Sequence, residues 1–184
     1  MVSSFIYEYL KDKTNIEENI LKTIVFKNEE PKNDYDKTKI LSALFELKIL
    51  DPACGSGAFP MGILEEMMKI LSLIDEDATI WFKLQSKAFI EENSGKNINY
   101  LRKLKIIKDS IFGVDIQPSA IEISKLRFFL SLIVDEDGEP EPLPNLEFKF
   151  VCANTLLLSP FNIKKNTQTT IFDNTDNINS IYEK

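Results

Sequence analysis

The sequence predicts an α/β domain with a mostly parallel sheet and flanking helices. Three observations carry that expectation. Short apolar runs of strand length alternate with longer segments of helical periodicity. Those runs end in Asp51, Asp115 and, near its end, Asn154. A glycine-bearing turn, "CGSG", separates the first run from the helix that follows. In an open sheet of this class the carboxyl ends of the strands line the ligand crevice. Three polar strand ends therefore belong at one site.

Residues 1–47 read as an N-terminal helical segment, with Ile16, Ile20, Leu21, Ile24 and Val25 on one face. The polar stretch "KNEEPKNDYDK" interrupts it before a second pattern at Ile40, Leu41, Leu44 and Phe45. A strand follows at about Lys48–Leu50, ending at Asp51. Pro60 suits the first turn of the next helix, where its missing N–H costs nothing. Met61, Leu64, Met67, Met68 and Leu71 keep helical spacing, the methionines as core rather than function. Residues 75–109 form a charged, amphipathic insertion. Ile80, Trp81, Leu84, Ala88 and Phe89 are spaced for one helix, and Leu101, Leu104 and Ile107 for another beyond the turn "NSGKN". "SIFGVDI", residues 110–116, is a second buried strand. The helix "PSAIEISKLRFFLSLIV" follows, with Ser119 and Glu122 at capping-box spacing. After the acidic, Pro-rich "DEDGEPEPLPN", the third strand lies in "LEFKFVCANTLL". The core so defined spans 48–160, and the polar tail 161–184 is expected to be loosely ordered.

Composition removes several functions. The 184 residues contain no histidine, which excludes Ser–His and Cys–His nucleophilic machinery and His-based metal sites. Two cysteines make no disulfide framework, so a reducing, cytoplasmic setting is expected. No apolar run approaches the roughly 20 residues of a membrane span. A net charge of −7 argues against tight nucleic-acid binding by these residues alone, since that affinity rests on Lys and Arg neutralising phosphates.

Three ligand types compete for the glycine turn. A P-loop needs GxxxxGK[S/T], and no Lys follows at that spacing. A dinucleotide turn wants GxGxxG, but Pro60 stands where the third glycine belongs. Its acidic partner should lie about 20 residues on, whereas Asp115 lies 58 beyond Gly57. S-adenosylmethionine fits better. A carboxylate can pair with its amino group, a second can accept both ribose hydroxyls, and an amide can meet the adenine edge. Asp51, Asp115 and Asn154 supply those types in order. Taken singly, Asp115 is also a helix cap, Asn154 a turn former, Phe59 plain core and Cys54 a packing residue.

"DPACGSGAF" resembles motif I of the N6-adenine DNA methyltransferases. "IFGVDIQPSAIEISKLRFFLSL" and "PLPNLEFKFVCANTL" are similar to the following segments of the type IIG/IIS restriction–modification methylases, over roughly residues 40–158. The resemblance implies a Rossmann-like, S-adenosylmethionine-dependent fold. It implies Asp51 at the methionine amino group, and Ala53, Cys54, Gly55 and Gly57 beneath the methionine portion, with Phe59 as a cofactor wall. Asp115 would hold the ribose hydroxyls, Ile116 would pack on an adenine face, and Asn154 would sit at the adenine amino group. Ala153 stands where the family usually has Gly.

The family's Asn/Asp-Pro-Pro-Tyr/Phe segment, which holds the target amine, is not in this sequence: it has eight prolines and no two are adjacent. No Thr-Pro of an upstream element occurs either. The expectation is an internal piece of a larger DNA methyltransferase, inactive alone and binding DNA weakly or not at all. The alternatives are a degenerate, non-catalytic interaction module and a portion of an RNA or protein methyltransferase.

Overall fold

The computed structural model describes residues 1–93, 95–135 and 145–156. The chain runs α1 (Val2–Thr14), α2 (Glu18–Lys22), a π-helical turn (Thr23–Lys27), α3 (Asp34–Glu46), β1 (Ile49–Asp51) and α4 (Ala58–Ile74). It continues through α5 (Thr79–Lys83), α6 (Lys87–Glu92), α7 (Ile98–Asp109), β2 (Ile111–Asp115), α8 (Pro118–Ile133) and β3 (Phe150–Cys152). The strands form one parallel sheet in the order β1-β2-β3. Asp51 pairs in register with Gly113, and Asp115 with Cys152, so the carboxyl ends of all three strands lie side by side.

The register also sorts the two faces, because side chains alternate along a strand and register partners share a face. Ile49, Ile111, Gly113 and Phe150 are buried on the face packed by helices. The Phe128 ring of α8 lies 4.9 Å from that of Phe150. Leu50 and Val151 point the other way and are exposed at 61% and 41%. The N-terminal helices share the core: Ile6, Leu10, Leu21, Ile24, Ile40 and Leu44 are fully buried, and α1 packs on α4.

Local chemistry sets the helix ends. Asn33 and Asn97 accept the N–H of Tyr35 and Asn99, opening α3 and α7. Pro60 sits in the first turn of α4, as its spacing predicts.

Four sequence expectations are corrected. The insertion's first helix, spanning Ile80 to Phe89, is two short helices. The Asp75 carboxylate accepts the N–H of Ile80 (3.1 Å) and Trp81 (2.8 Å), fixing the start of α5. Ser86 then accepts from Phe89 to open α6. No capping box joins Ser119 to Glu122: Gln117 is the N-cap with Pro118 beginning α8, while Glu122 pairs with Lys125 at 2.9 Å. The third strand is three residues long, because Leu146–Lys149 form a turn whose Leu146 carbonyl accepts from Lys149 and Phe150. Asn154 lies two residues past its end. Phe45 is 36% exposed rather than core. Most of the acidic loop and all of the tail from Phe161 lie outside the described residues.

The insertion is tied down by one buried ion pair. Arg102 of α7 is 1% exposed. Its Nη2 donates to the Asp75 carbonyl and lies 3.5 Å from Asp75 Oδ2. Asp75→Ala strands that guanidinium without a counter-charge and removes the start of α5, so it should cost about 3–5 kcal/mol. Arg102→Met should cost less, since Asp75 keeps its donors from Thr79, Ile80 and Trp81. Urea unfolding of the two variants checks the order.

Candidate cofactor site

The glycine turn is held down from below. Cys54 donates its N–H to the Val114 carbonyl of β2 at 2.9 Å, and its side chain is buried. The space it fills exists because residue 113 is glycine. A Cβ at Gly113 would stand 2.9 Å from Cys54 Sγ and 2.8 Å from the Phe150 ring. Gly57 has φ +81°, which suits glycine, and a Cβ there would meet Ser124 Oγ at 2.8 Å. The turn thus sits close on β2 and α8 because both glycines lack side chains.

Asp115 ties the first strand end to the second. Its Oδ2 accepts the Gly55 N–H at 2.8 Å and its Oδ1 accepts the Gln117 N–H at 2.9 Å. Each carboxylate oxygen has two acceptor sites, so one on each oxygen stays available to a ligand. The Asp115 carbonyl accepts from Ala153, which brings in the loop after β3. Thr155 completes the link by donating to the Pro52 carbonyl at 3.0 Å.

A groove of about 490 Å³ opens beside this bridge, within the range of small-molecule sites. Gly55, Asp115 and Ile116 line it together with Ser56, Gln117 and Ile123. Asp51, at the end of β1, and Ala53, in the turn that follows, are not among its lining residues. Asp51 Oδ1 accepts the Ala53 N–H at 3.1 Å, and its Oδ2 has no partner among the described residues. Asn154 is exposed beyond β3, with its side-chain oxygen turned to the Leu156 N–H. Phe59 does not reach the groove: its ring meets Phe5 of α1 edge-on at 6.1 Å.

The electrostatics favour a cationic ligand. No Lys or Arg pairs with Asp51 or Asp115 among the described residues. Two carboxylates without counter-charges repel phosphate and attract an ammonium or sulfonium. Cys54 registers the same field. Burial first, then the charges of Asp51 and Asp115, push its thiol above the ordinary range, which disfavours the thiolate form. Among the described residues, no cluster of His, Cys, Asp and Glu could hold a metal ion. No described helix is long and apolar enough to cross a membrane.

A putative type II restriction enzyme and methyltransferase of Methanocaldococcus jannaschii is 35% identical to this chain over 138 residues. The alignment covers 71% of this chain and 10% of that protein. The adenine-specific methyltransferase PglX of Streptomyces coelicolor is 28% identical over 86 residues, 47% of this chain and 6% of that protein. The chain belongs to the family of restriction–modification methyltransferases. It spans about a tenth of the first relative's length. No family model matches this chain, and no solved structure does.

Ser124, two turns into α8, is a neighbour of the turn that motif reasoning missed. It is fully buried, and its hydroxyl donates to the Gly55 carbonyl at 3.0 Å. The available signal was a hydroxyl in the buried stripe of Ile121 and Phe128. Ile123 was missed for the opposite reason, as an apolar residue on an exposed helix face.

The N–H groups of Gln117, first, and Gly55 hold the Asp115 carboxyl below the usual carboxylate range. A folded-state value below the unfolded one adds stability at pH above the unfolded value. That stability is lost as pH falls through the folded value. Asp115→Asn, which sets an amide N–H₂ against a backbone donor, should therefore melt below the wild type at neutral pH. Melting curves from pH 7 to 3 should show the gap closing on acidification.

Proposed function

We propose that this chain is the S-adenosylmethionine-binding portion of a site-specific N6-adenine DNA methyltransferase from a restriction–modification system, with a Rossmann-like fold. One observation carries the reading. A glycine turn lies between two uncompensated carboxylates at adjacent strand ends, and one of these, Asp115, keeps acceptor sites facing a small-molecule groove. That donor and acceptor set fits a cationic ribonucleoside and opposes a nucleotide phosphate.

In this reading Asp115 receives the two ribose hydroxyls on its free acceptor sites. Ile116, 64% exposed at the groove, offers an apolar face to a purine. Asp51 Oδ2, at the end of β1, attracts the methionine ammonium. Gly55 and Gly57 let the backbone approach the methionine portion without a Cβ between, and Ala53 and Cys54 complete the floor. Asn154 meets the adenine edge once its side chain leaves the turn it closes with Leu156. The cofactor supplies an electrophilic methyl group on a sulfonium. The chain's own residues bind and orient it, and the charge of both carboxylates favours the cationic donor over the neutral product. Cytoplasmic DNA would be the substrate of the whole enzyme, and these acidic residues alone would hold it weakly.

The 184 residues contain no adjacent prolines to hold a target amine, so they should not transfer methyl groups by themselves. The same observation favours a second reading, a non-catalytic module of methyltransferase fold that acts with a separate catalytic chain. S-adenosylhomocysteine binding followed by calorimetry separates these cofactor-based readings from a purely structural domain. The purified chain should bind it below millimolar concentration. Asp115→Ala should weaken that binding roughly 10- to 100-fold, as loss of hydrogen bonds to a charged group does. No heat of binding at millimolar ligand, or methyl incorporation into DNA by the chain alone, would contradict the proposal.

A further inference from the structure

We infer that Ser124 is a positioning residue for the cofactor turn, holding the Gly55 carbonyl, and with it the peptide that follows, in its ligand-ready orientation. The inference rests on the cofactor-binding reading above and extends it to a residue outside the motif.

Gly55 is gripped through both of the peptides that flank it. Its N–H donates to Asp115 Oδ2 of β2 at 2.8 Å, and its C=O accepts from Ser124 Oγ of α8 at 3.0 Å. Gly55 has φ +54° and nothing within 4 Å of where a Cβ would stand, so no packing of its own fixes it. Glycine at such a position has many accessible conformations, and ordering it on ligand binding costs affinity. The two hydrogen bonds therefore supply the order that side-chain packing does not.

Ser124 is suited to this task. At 0% exposure its hydroxyl has no water to turn to, and a buried hydroxyl left unpaired is costly, so the bond to Gly55 is held. It also sits under the second glycine, since a Cβ at Gly57 would meet its Oγ at 2.8 Å and its Cβ at 3.1 Å. Ser124 sets the height of both glycines, while Asp115 sets the tilt of the first. Because Asp115 also faces the groove, a change in the φ and ψ of Gly55 would remove the donor that orients its carboxylate.

The test uses the 184-residue chain with Ser124→Ala and Ser124→Cys. Hydrogen exchange is followed at the amides of Gly55 and Gly113, the latter bonded to Lys149 within the sheet region. S-adenosylhomocysteine affinity is measured alongside. Ser124→Ala should speed exchange at Gly55 about 3- to 10-fold, the range for one lost hydrogen bond, and leave Gly113 unchanged. Affinity should fall by a similar factor. Ser124→Cys fills the same space with a weak donor and should behave like the alanine variant. The inference is overturned if Gly55 and Gly113 accelerate together, or if the cysteine variant matches the wild type, since either result makes Ser124 a space-filling core residue. If the wild type binds no S-adenosylhomocysteine, the cofactor reading fails, and the exchange comparison still decides whether Ser124 positions the turn.

Discussion

The Asp115 carboxylate is the interaction on which the arrangement of this site depends. It closes the only long-range hydrogen bond between a side chain at the end of β2 and the turn after β1 among the described residues. It also receives the N–H of Gln117 at the entry to α8. Without it, the turn, the second strand and the following helix would still be neighbours through the sheet. They would share no common anchor on the groove side. The carboxylate's charge is what makes the anchor effective, because backbone donors bound to an ionised acceptor form shorter and stronger bonds than those bound to a neutral one.

That charge is also a constraint. Asp51 lies at the end of the adjacent strand, and neither carboxylate has a cationic side chain for company. Two uncompensated negative groups beside one loop are a cost to the empty protein and an advantage to a cationic ligand. The fold accommodates them by keeping both near solvent and by burying a thiol, Cys54, between them rather than a third charged group. Glycine at 113 makes room for that thiol, and glycine at 57 makes room for Ser124. Sequence positions that look like a binding motif are, at this level, also the packing conditions that let the turn approach β2 and α8.

The parallel α/β arrangement was legible because its signals are local. Strand-length apolar runs at 49–51 and 111–115 end in Asp, and the glycines follow at once. The failures lay where side chains set element ends. Asp75, which also binds Arg102, 27 residues away, fixes the start of α5, and Ser86 opens α6. Ser119 and Glu122 have the right spacing for a capping box, but Asp115 already supplies the acceptor at the entry to α8. The third strand looked longer because Leu146 and Phe148 alternate like strand residues, whereas the backbone there closes a turn. Phe59, named as a cofactor wall, packs T-shaped against Phe5 of α1 at 6.1 Å. Of the residues suggested for the site, the structure brings Gly55, Asp115 and Ile116 to one groove, whose lining does not include Asp51 or Ala53.

The central claim is that Asp115 uses its outward acceptor sites to hold a ribose diol while its inward sites hold the turn. A double-mutant cycle tests it most directly. Affinities of S-adenosylhomocysteine and its 2′-deoxyribose analogue are compared in the wild type and in Asp115→Ala. The account predicts strong coupling: loss of the hydroxyl weakens the wild type several-fold and leaves the alanine variant nearly unaffected. Equal losses in both proteins would show that Asp115 does not contact the ribose.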